Sequence, residues 1–246
     1  MRNIKLVIEY DGKEFNGWQK QPNKLNIQGT IEQAIKSITG EEVELNASGR
    51  TDAGVHAFGQ VANFKTNSNI PIDKFAIALN SNLKKSIRII SAEEVGERFH
   101  SRLSCKKKTY RYIINNSEIS SAIYRNLETH IPQKLNVKKM KEAAKYFEGE
   151  HDFKAFKSSG TSSKSSVRTI YKAEVVEMPN SRIYIELTGN GFLYNMVRII
   201  SGTLVEVGLE KIDAKGVERI IELGDRNLAG KTLPPNGLYL LNVEYE

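Results

Sequence analysis

Twice along the chain the apolar residues change period in the same order, and that repetition limits the fold more than any other feature. Residues 2–10 alternate, with Ile4, Leu6, Ile8 and Tyr10 on one face, and Asp11-Gly12 supplies a turn. Ile27, Ile31, Ala34, Ile35 and Ile38 then recur at helical spacing before Gly40, a C-cap residue. Strands are predicted at about 43–48 and 58–65, a helix after Pro71 carrying Phe75, Leu79 and Leu83, and a strand at about 87–95. The second half opens with a strand at about 106–115 and a helix at about 136–147 carrying Val137, Met140, Ala144 and Phe147. Strands at about 167–177 and 182–188 follow, then helices at about 191–208 and 213–223 and a closing strand at 238–245.

The order β-α-β-β-α-β, met twice, is that of ferredoxin-like or RRM-like split β-α-β modules. The predicted class is therefore α+β, with one module over residues 1–103 and a second over 104–246. Such modules place helices on one face of a mainly antiparallel sheet, and two of them side by side make one long sheet with a central cleft. The Ser-rich stretch from Ser158 to Ser166 cannot bury a core and reads as a mobile loop.

Composition narrows the chemistry. A single cysteine, Cys105, permits no internal disulfide or multi-cysteine zinc framework, and the four histidines lack metal spacing. There is no phosphate-binding Gly-rich loop and no G-x-S-x-G elbow. The run from Gly191 to Leu209 is broken by Asn195, Arg198 and Glu206, so no membrane span is expected, and the N-terminus lacks a signal-peptide h-region. These features lead to the expectation of a cytoplasmic protein. The net charge of +7 is segregated: Arg98 to Arg111 holds six basic residues and no acid, and Lys154 to Lys172 holds five. Either a phosphate-tracking face or a solvated surface fits that pattern.

Three segments stand out. Ser48-Gly49-Arg50-Thr51-Asp52-Ala53-Gly54-Val55-His56-Ala57 joins two strands. Its glycines permit a tight bend that holds Arg50 and Asp52 forward, although for the segment by itself an Asx-turn of Asp52 with its own backbone is the plainer reading. His56 reads as a structural histidine, with a role as base partner as the alternative. In Lys106 to Tyr112, strand alternation puts Lys108, Tyr110 and Tyr112 on one face. That face is either an RNA-stacking platform or a half-buried strand with tyrosines at its rim. In Thr188 to Arg198, Arg198 sits inside an apolar helix and should snorkel or meet an acid; across a cleft, it would keep Asp52 ionised.

Taken together these residues place a resemblance. The chain resembles, from end to end, the TruA family of tRNA pseudouridine synthases. The matches are F-x-G-W-Q-x-Q at Phe15–Gln21, S-G-R-T-D-A-G-V-H-A at Ser48–Ala57, and K-x-Y-R-Y at Lys108–Tyr112. Further matches are G-x-H-D-F at Gly149–Phe153, R-T-I at Arg168–Ile170, G-N-G-F-L-Y-N-M-V-R at Gly189–Arg198, and G-L-Y-L at Gly237–Leu240. One departure is Leu233, where the family usually shows alanine. The resemblance implies isomerisation of uridine to pseudouridine in the tRNA anticodon stem-loop, at positions 38 to 40. It implies a homodimer that needs neither metal nor organic cofactor, with tRNA touching both subunits. It makes Asp52 the catalytic aspartate, Tyr110 the aromatic against the target uracil, Arg198 the partner of the aspartate, and Arg50 the residue that enters the space left by the extruded nucleotide. Addition at C6, attack at C1′ and deprotonation at C2′ all remain open to Asp52. The rival readings are a non-catalytic RNA-binding module and a hydrolase using Asp52 with His56.

Overall fold

The alternating run at the N-terminus forms strand β1 (Arg2–Tyr10), whose residues Ile4, Leu6 and Ile8 are fully buried. In the computed structural model, which describes residues 1–160 and 165–246, α1 (Ile27–Thr39), β2 (Asn46–Ala47), β3 (His56–Thr66), α2 (Ile72–Asn82) and β4 (Ile87–Val95) follow. The chain continues through β5 (Lys107–Asn115), β6 (Thr129–His130), α3 (Val137–Ala144), β7 (Gly149–Asp152), β8 (Val167–Met178) and β9 (Arg182–Gly189). It ends with α4 (Met196–Gly208), α5 (Gly216–Leu223) and β10 (Leu238–Glu244). The class is α+β. Two compact units emerge, residues 1–106 with 239–246, and residues 107–238. This division differs from 1–103 and 104–246 chiefly in the closing strand. Tyr239 and Leu240 pair in parallel with His56 and Ala57, which draws β10 into the first unit.

In the first unit the strand order is β4-β1-β3-β10, with β2 also on β3. β1 runs antiparallel to both β3 and β4. β3 is shared lengthwise: its first residues pair with β10, while Ala62 and Asn63 pair with β2. β2 is shorter than expected because the Leu45 N–H donates to the Glu32 carboxylate at 3.2 Å, outside any ladder. α1 begins at Asn26, whose Oδ1 accepts from Gly29 N–H at 2.8 Å, and ends at Gly40 in the left-handed conformation (φ +75°). Ile27, Ile31 and Ile35 of α1 and Phe75 and Leu79 of α2 are buried with the β1 residues to make this unit's core. Each such side chain contributes on the order of 1.5–3 kcal/mol.

In the second unit the order is β5-β9-β8-β7, antiparallel throughout, with β6 parallel to β5. β5 and β9 pair from Lys108↔Gly189 to Asn115↔Arg182. Tyr112, Ile114, Ile185 and Leu187 are buried, as are Met140 of α3 and Met196, Ile199 and Ile200 of α4. The helix expected from 191 starts only at Met196, because Asn195 before it is left-handed (φ +61°). The expected helix over 136–147 is α3 followed by a 3₁₀ turn at Lys145–Phe147. Of the predicted loop Ser158–Ser166, residues 161–164 lie outside the described residues. Among the described residues no helix is long and apolar enough to cross a membrane, and no cluster of His, Cys, Asp and Glu could hold a metal.

Candidate active site

The Ser48–Val55 loop enters from β2 and leaves into β3, and the backbone around Asp52 is held both from outside the loop and by a turn within it. Gly12 and Gly17, in the segment after β1, approach it so closely that neither could carry a side chain. A Cβ on Gly12 would lie 2.0 Å from the Val55 carbonyl oxygen. One on Gly17, whose φ is +84°, would lie 2.6 Å from that of Thr51. The Trp18 N–H donates to the Thr51 carbonyl at 3.0 Å, and the indole ring beside it is buried. Trp18 and Gly17 in turn accept from the Gln28 and Ile27 N–H groups at the start of α1. The F-x-G-W-Q-x-Q segment is therefore a brace between the helix and the loop.

From the other side, Gln60 of β3 reaches back. Its Oε1 accepts from Ser48 Oγ at 2.8 Å, and its Nε2 donates to the Gly49 carbonyl at 2.9 Å. Tyr10 and Thr51 share a buried hydroxyl–hydroxyl bond of 2.8 Å. Burial pushes the Tyr10 phenol well above its ordinary range, so it stays protonated and can donate to Thr51. The Val55 N–H donates to the Asp52 carbonyl at 3.1 Å, closing a β-turn with Gly54 at its third position at φ +78°. Asp52 itself is half-buried and Arg50 exposed. A carboxylate on backbone fixed at the preceding residue, its own carbonyl and the following turn has little freedom to relax, as a group that must meet a substrate atom requires.

His56 is buried, its ring stacked on Tyr239 with centroids 4.8 Å apart. Its Nδ1 lies 3.1 Å from both the Gly12 N–H and the Asp11 carboxylate. A neutral ring accepts from the first, and a ring protonated at Nδ1 donates to the second. Both arrangements tie His56 to the turn after β1.

In the second unit, Tyr110 of β5 is 8% exposed, its ring edge-on to Phe192 with centroids 5.1 Å apart. The next residue on this face, Tyr112, is buried entirely, so the strand is covered there rather than exposed at a rim. Its hydroxyl lies 2.5 Å from Thr129 Oγ1 and 2.7 Å from the Pro234 carbonyl, so burial leaves no polar atom stranded. Two donors of Arg198 on α4 are placed by neutral acceptors. Its Nε donates to the Leu233 carbonyl at 2.6 Å and its Nη1 to Asn195 Oδ1 at 2.7 Å. Leu233 meets Arg198 through its backbone, which any residue supplies, so the departure from alanine there leaves the contact intact.

Part of the basic sequence is neutralised within its unit. Arg111 holds Glu186 at 2.6 Å and Lys172 holds Glu174 at 2.6 Å, while Arg98, Arg102, Lys106 and Lys154 are exposed. The four predicted site residues divide between the units, Arg50 and Asp52 in the first and Tyr110 and Arg198 in the second. Missed from sequence were Gly12, Gly17, Tyr10 and Gln60 as loop supports, and Asn195 and Leu233 as partners of Arg198. For Gln60 the signal in the sequence is a polar side chain between Gly59 and Val61 on a predicted strand.

The family model for tRNA pseudouridine synthase matches residues 6–103 and 143–246, and so takes in both the Asp52 loop and Arg198. The chain is 53% identical over 245 residues to tRNA pseudouridine synthase A of Acetivibrio thermocellus, covering all of both chains. It is equally similar, over the same full length, to the protein of that name from Caldicellulosiruptor bescii. A chain from a solved Cbf5-Nop10-Gar1 complex superposes with a TM-score of 0.35 at 13% identity, covering 96% of this chain and 57% of that one. The chain belongs to the tRNA pseudouridine synthase family. Members of that family are isomerases, and the relatives of matching length act under the name tRNA pseudouridine synthase A.

Proposed function

We propose that this protein isomerises uridine to pseudouridine in the anticodon stem-loop of tRNA, with Asp52 as the catalytic group. The observation that carries this reading is the braced turn at Asp52, lying inside the first family-matched segment. The reaction breaks the N1–C1′ bond, turns the uracil and joins C5 to C1′. C5 loses a proton and N1 gains one, so nothing is taken up or released overall. A detached uracil must be held close and dry, or an abasic site would remain. Tyr110, with its ring steered by Phe192, is the surface on which the uracil rests, and Arg198 keeps the aspartate charged. The enzyme acts in the cytoplasm as a homodimer, drawn to tRNA by the exposed cations Arg98, Arg102, Lys106 and Lys154.

The test incubates the protein with an unmodified tRNA transcript and maps pseudouridine at nucleotide resolution. Product confined to the anticodon stem-loop supports the reading. Binding without product would favour an RNA-binding module, and released uracil or cut RNA a hydrolase.

Two side-chain roles have their own tests. The target base is stacked in a stem, and extruding it costs a few kcal/mol. Arg50, exposed beside Asp52, fills the vacancy and offsets part of that cost. Arg50→Ala is expected to slow conversion about ten- to a hundredfold in single-turnover assays. Conversion at the wild-type rate would remove this role. Tyr110→Phe keeps the stacking ring and loses the hydroxyl to which this reading gives the removal of the C5 proton. Slowing by about 10²-fold with unchanged tRNA affinity is expected, and full activity would leave stacking alone.

A further inference from the structure

Arg198 is oriented by groups that reach it through a short piece of backbone. The guanidinium is planar, and two of its donors are committed, Nε to the Leu233 carbonyl and Nη1 to Asn195 Oδ1. Two hydrogen bonds at different edges of a rigid plane define its direction. Asn195 is itself held, its Nδ2 donating to Ser158 Oγ at 2.9 Å. The direction of the plane then depends on where the Leu233 carbonyl stands.

Two prolines set the position of that carbonyl. The next residue, Pro234, has φ −56° and ψ 152°, and its ring locks the first of these. Pro235 comes directly after, so this stretch of chain is stiff. The Pro234 carbonyl accepts from the Tyr112 hydroxyl at 2.7 Å, and the Leu233 N–H donates to the Arg198 carbonyl at 3.3 Å. Fixing both ends of so stiff a piece fixes the carbonyl between them. The phenol is anchored in turn: Tyr112 is buried on β5, and Thr129 of the adjoining β6 lies 2.5 Å from its oxygen. Gly237 closes over the pair so tightly that a Cβ there would lie 2.8 Å from both Thr129 Oγ1 and the Tyr112 ring. Burial drives the Tyr112 phenol above its ordinary range, so it remains a donor throughout the working pH range.

We propose that Tyr112 is a positioning residue: through the Pro234 and Leu233 carbonyls it sets the plane of the Arg198 guanidinium. The inference rests on the role given above to Arg198 as partner of the catalytic aspartate. A tyrosine that served the core alone would affect folding and leave the orientation of Arg198 untouched.

A double-mutant cycle separates these roles. Tyr112→Phe keeps the buried ring and removes the hydroxyl. Its single-turnover conversion of an unmodified tRNA transcript is expected to fall about ten- to a hundredfold, with Kd for the transcript changed less than about twofold. Arg198→Lys keeps the charge but has no planar fork for the strut to orient. In that slower background, adding Tyr112→Phe is expected to slow conversion by no more than about twofold further. Losses that multiply independently overturn the proposal, and so does Tyr112→Phe at the wild-type rate. Should Tyr112→Phe fail to fold, Pro234→Ala loosens the strut while keeping every side-chain bond, and the same cycle is read with it. Wild-type protein that forms no pseudouridine would instead overturn the functional reading beneath the inference.

Discussion

Asp52→Asn protein folds, binds tRNA as the wild type does and forms pseudouridine at least about 10³-fold more slowly. The size of the loss reflects how much the change leaves in place. Asparagine has the same shape, and the loop around position 52 is fixed by backbone bonds: Trp18 N–H to Thr51, and Val55 N–H to the carbonyl of residue 52 itself. Geometry is kept, and only the charge and the basicity are gone. An amide can neither attack carbon nor accept a proton at neutral pH, so each of the three routes open to the aspartate is closed at once. The measurement is single-turnover conversion beside a filter-binding Kd, and turnover within tenfold of wild type would refute the assignment.

The second large effect needs no change in any reactive group. Gly17→Ala is expected to destabilise the protein by about 2–4 kcal/mol, read as a fall in the denaturant midpoint, and to lower activity with it. Two independent penalties combine. The left-handed backbone at φ +84° disfavours any side chain, and the new methyl would stand 2.6 Å from the Thr51 carbonyl oxygen. That oxygen belongs to the residue before Asp52 and accepts the Trp18 N–H, so relief of the clash must move the turn that carries Asp52. Unchanged stability together with unchanged turnover would show that the segment before α1 does not brace the loop.

How much of this could be read from the sequence depends on whether a feature is local. Alternation over residues 2–10 and helical spacing from Ile27 reproduce β1 and α1 closely, and Gly40 caps its helix as its type suggests. β7, with the sequence Gly-Glu-His-Asp, has no apolar alternation and is held by its pairing with β8, so nothing local marks it. The same limit applies to β10, whose period predicts a strand but not that its partner is β3. Alternation also separated Tyr110 and Tyr112 from Arg111 without saying which face would be covered. At the candidate site, Asp52 was conspicuous because glycines flank it. Gly12 and Gly17 were not, since their function is an approach between backbones distant in sequence, and such an approach leaves no period behind.

The pairing of Tyr239 with His56 has a consequence for the order in which the protein becomes functional during its synthesis. β3 begins directly after the loop that carries Asp52, and the strand beside that end is made nearly two hundred residues later. Until then the start of β3 is an open edge, and His56 lacks the ring that stacks against it. The first unit cannot be completed as an independent early domain, because it waits for residues 239–246 to arrive. The loop that carries Asp52 is thereby withheld from its final setting until residues 239–246 have been made, and a nascent chain shorter than that holds the proposed catalytic loop unfinished.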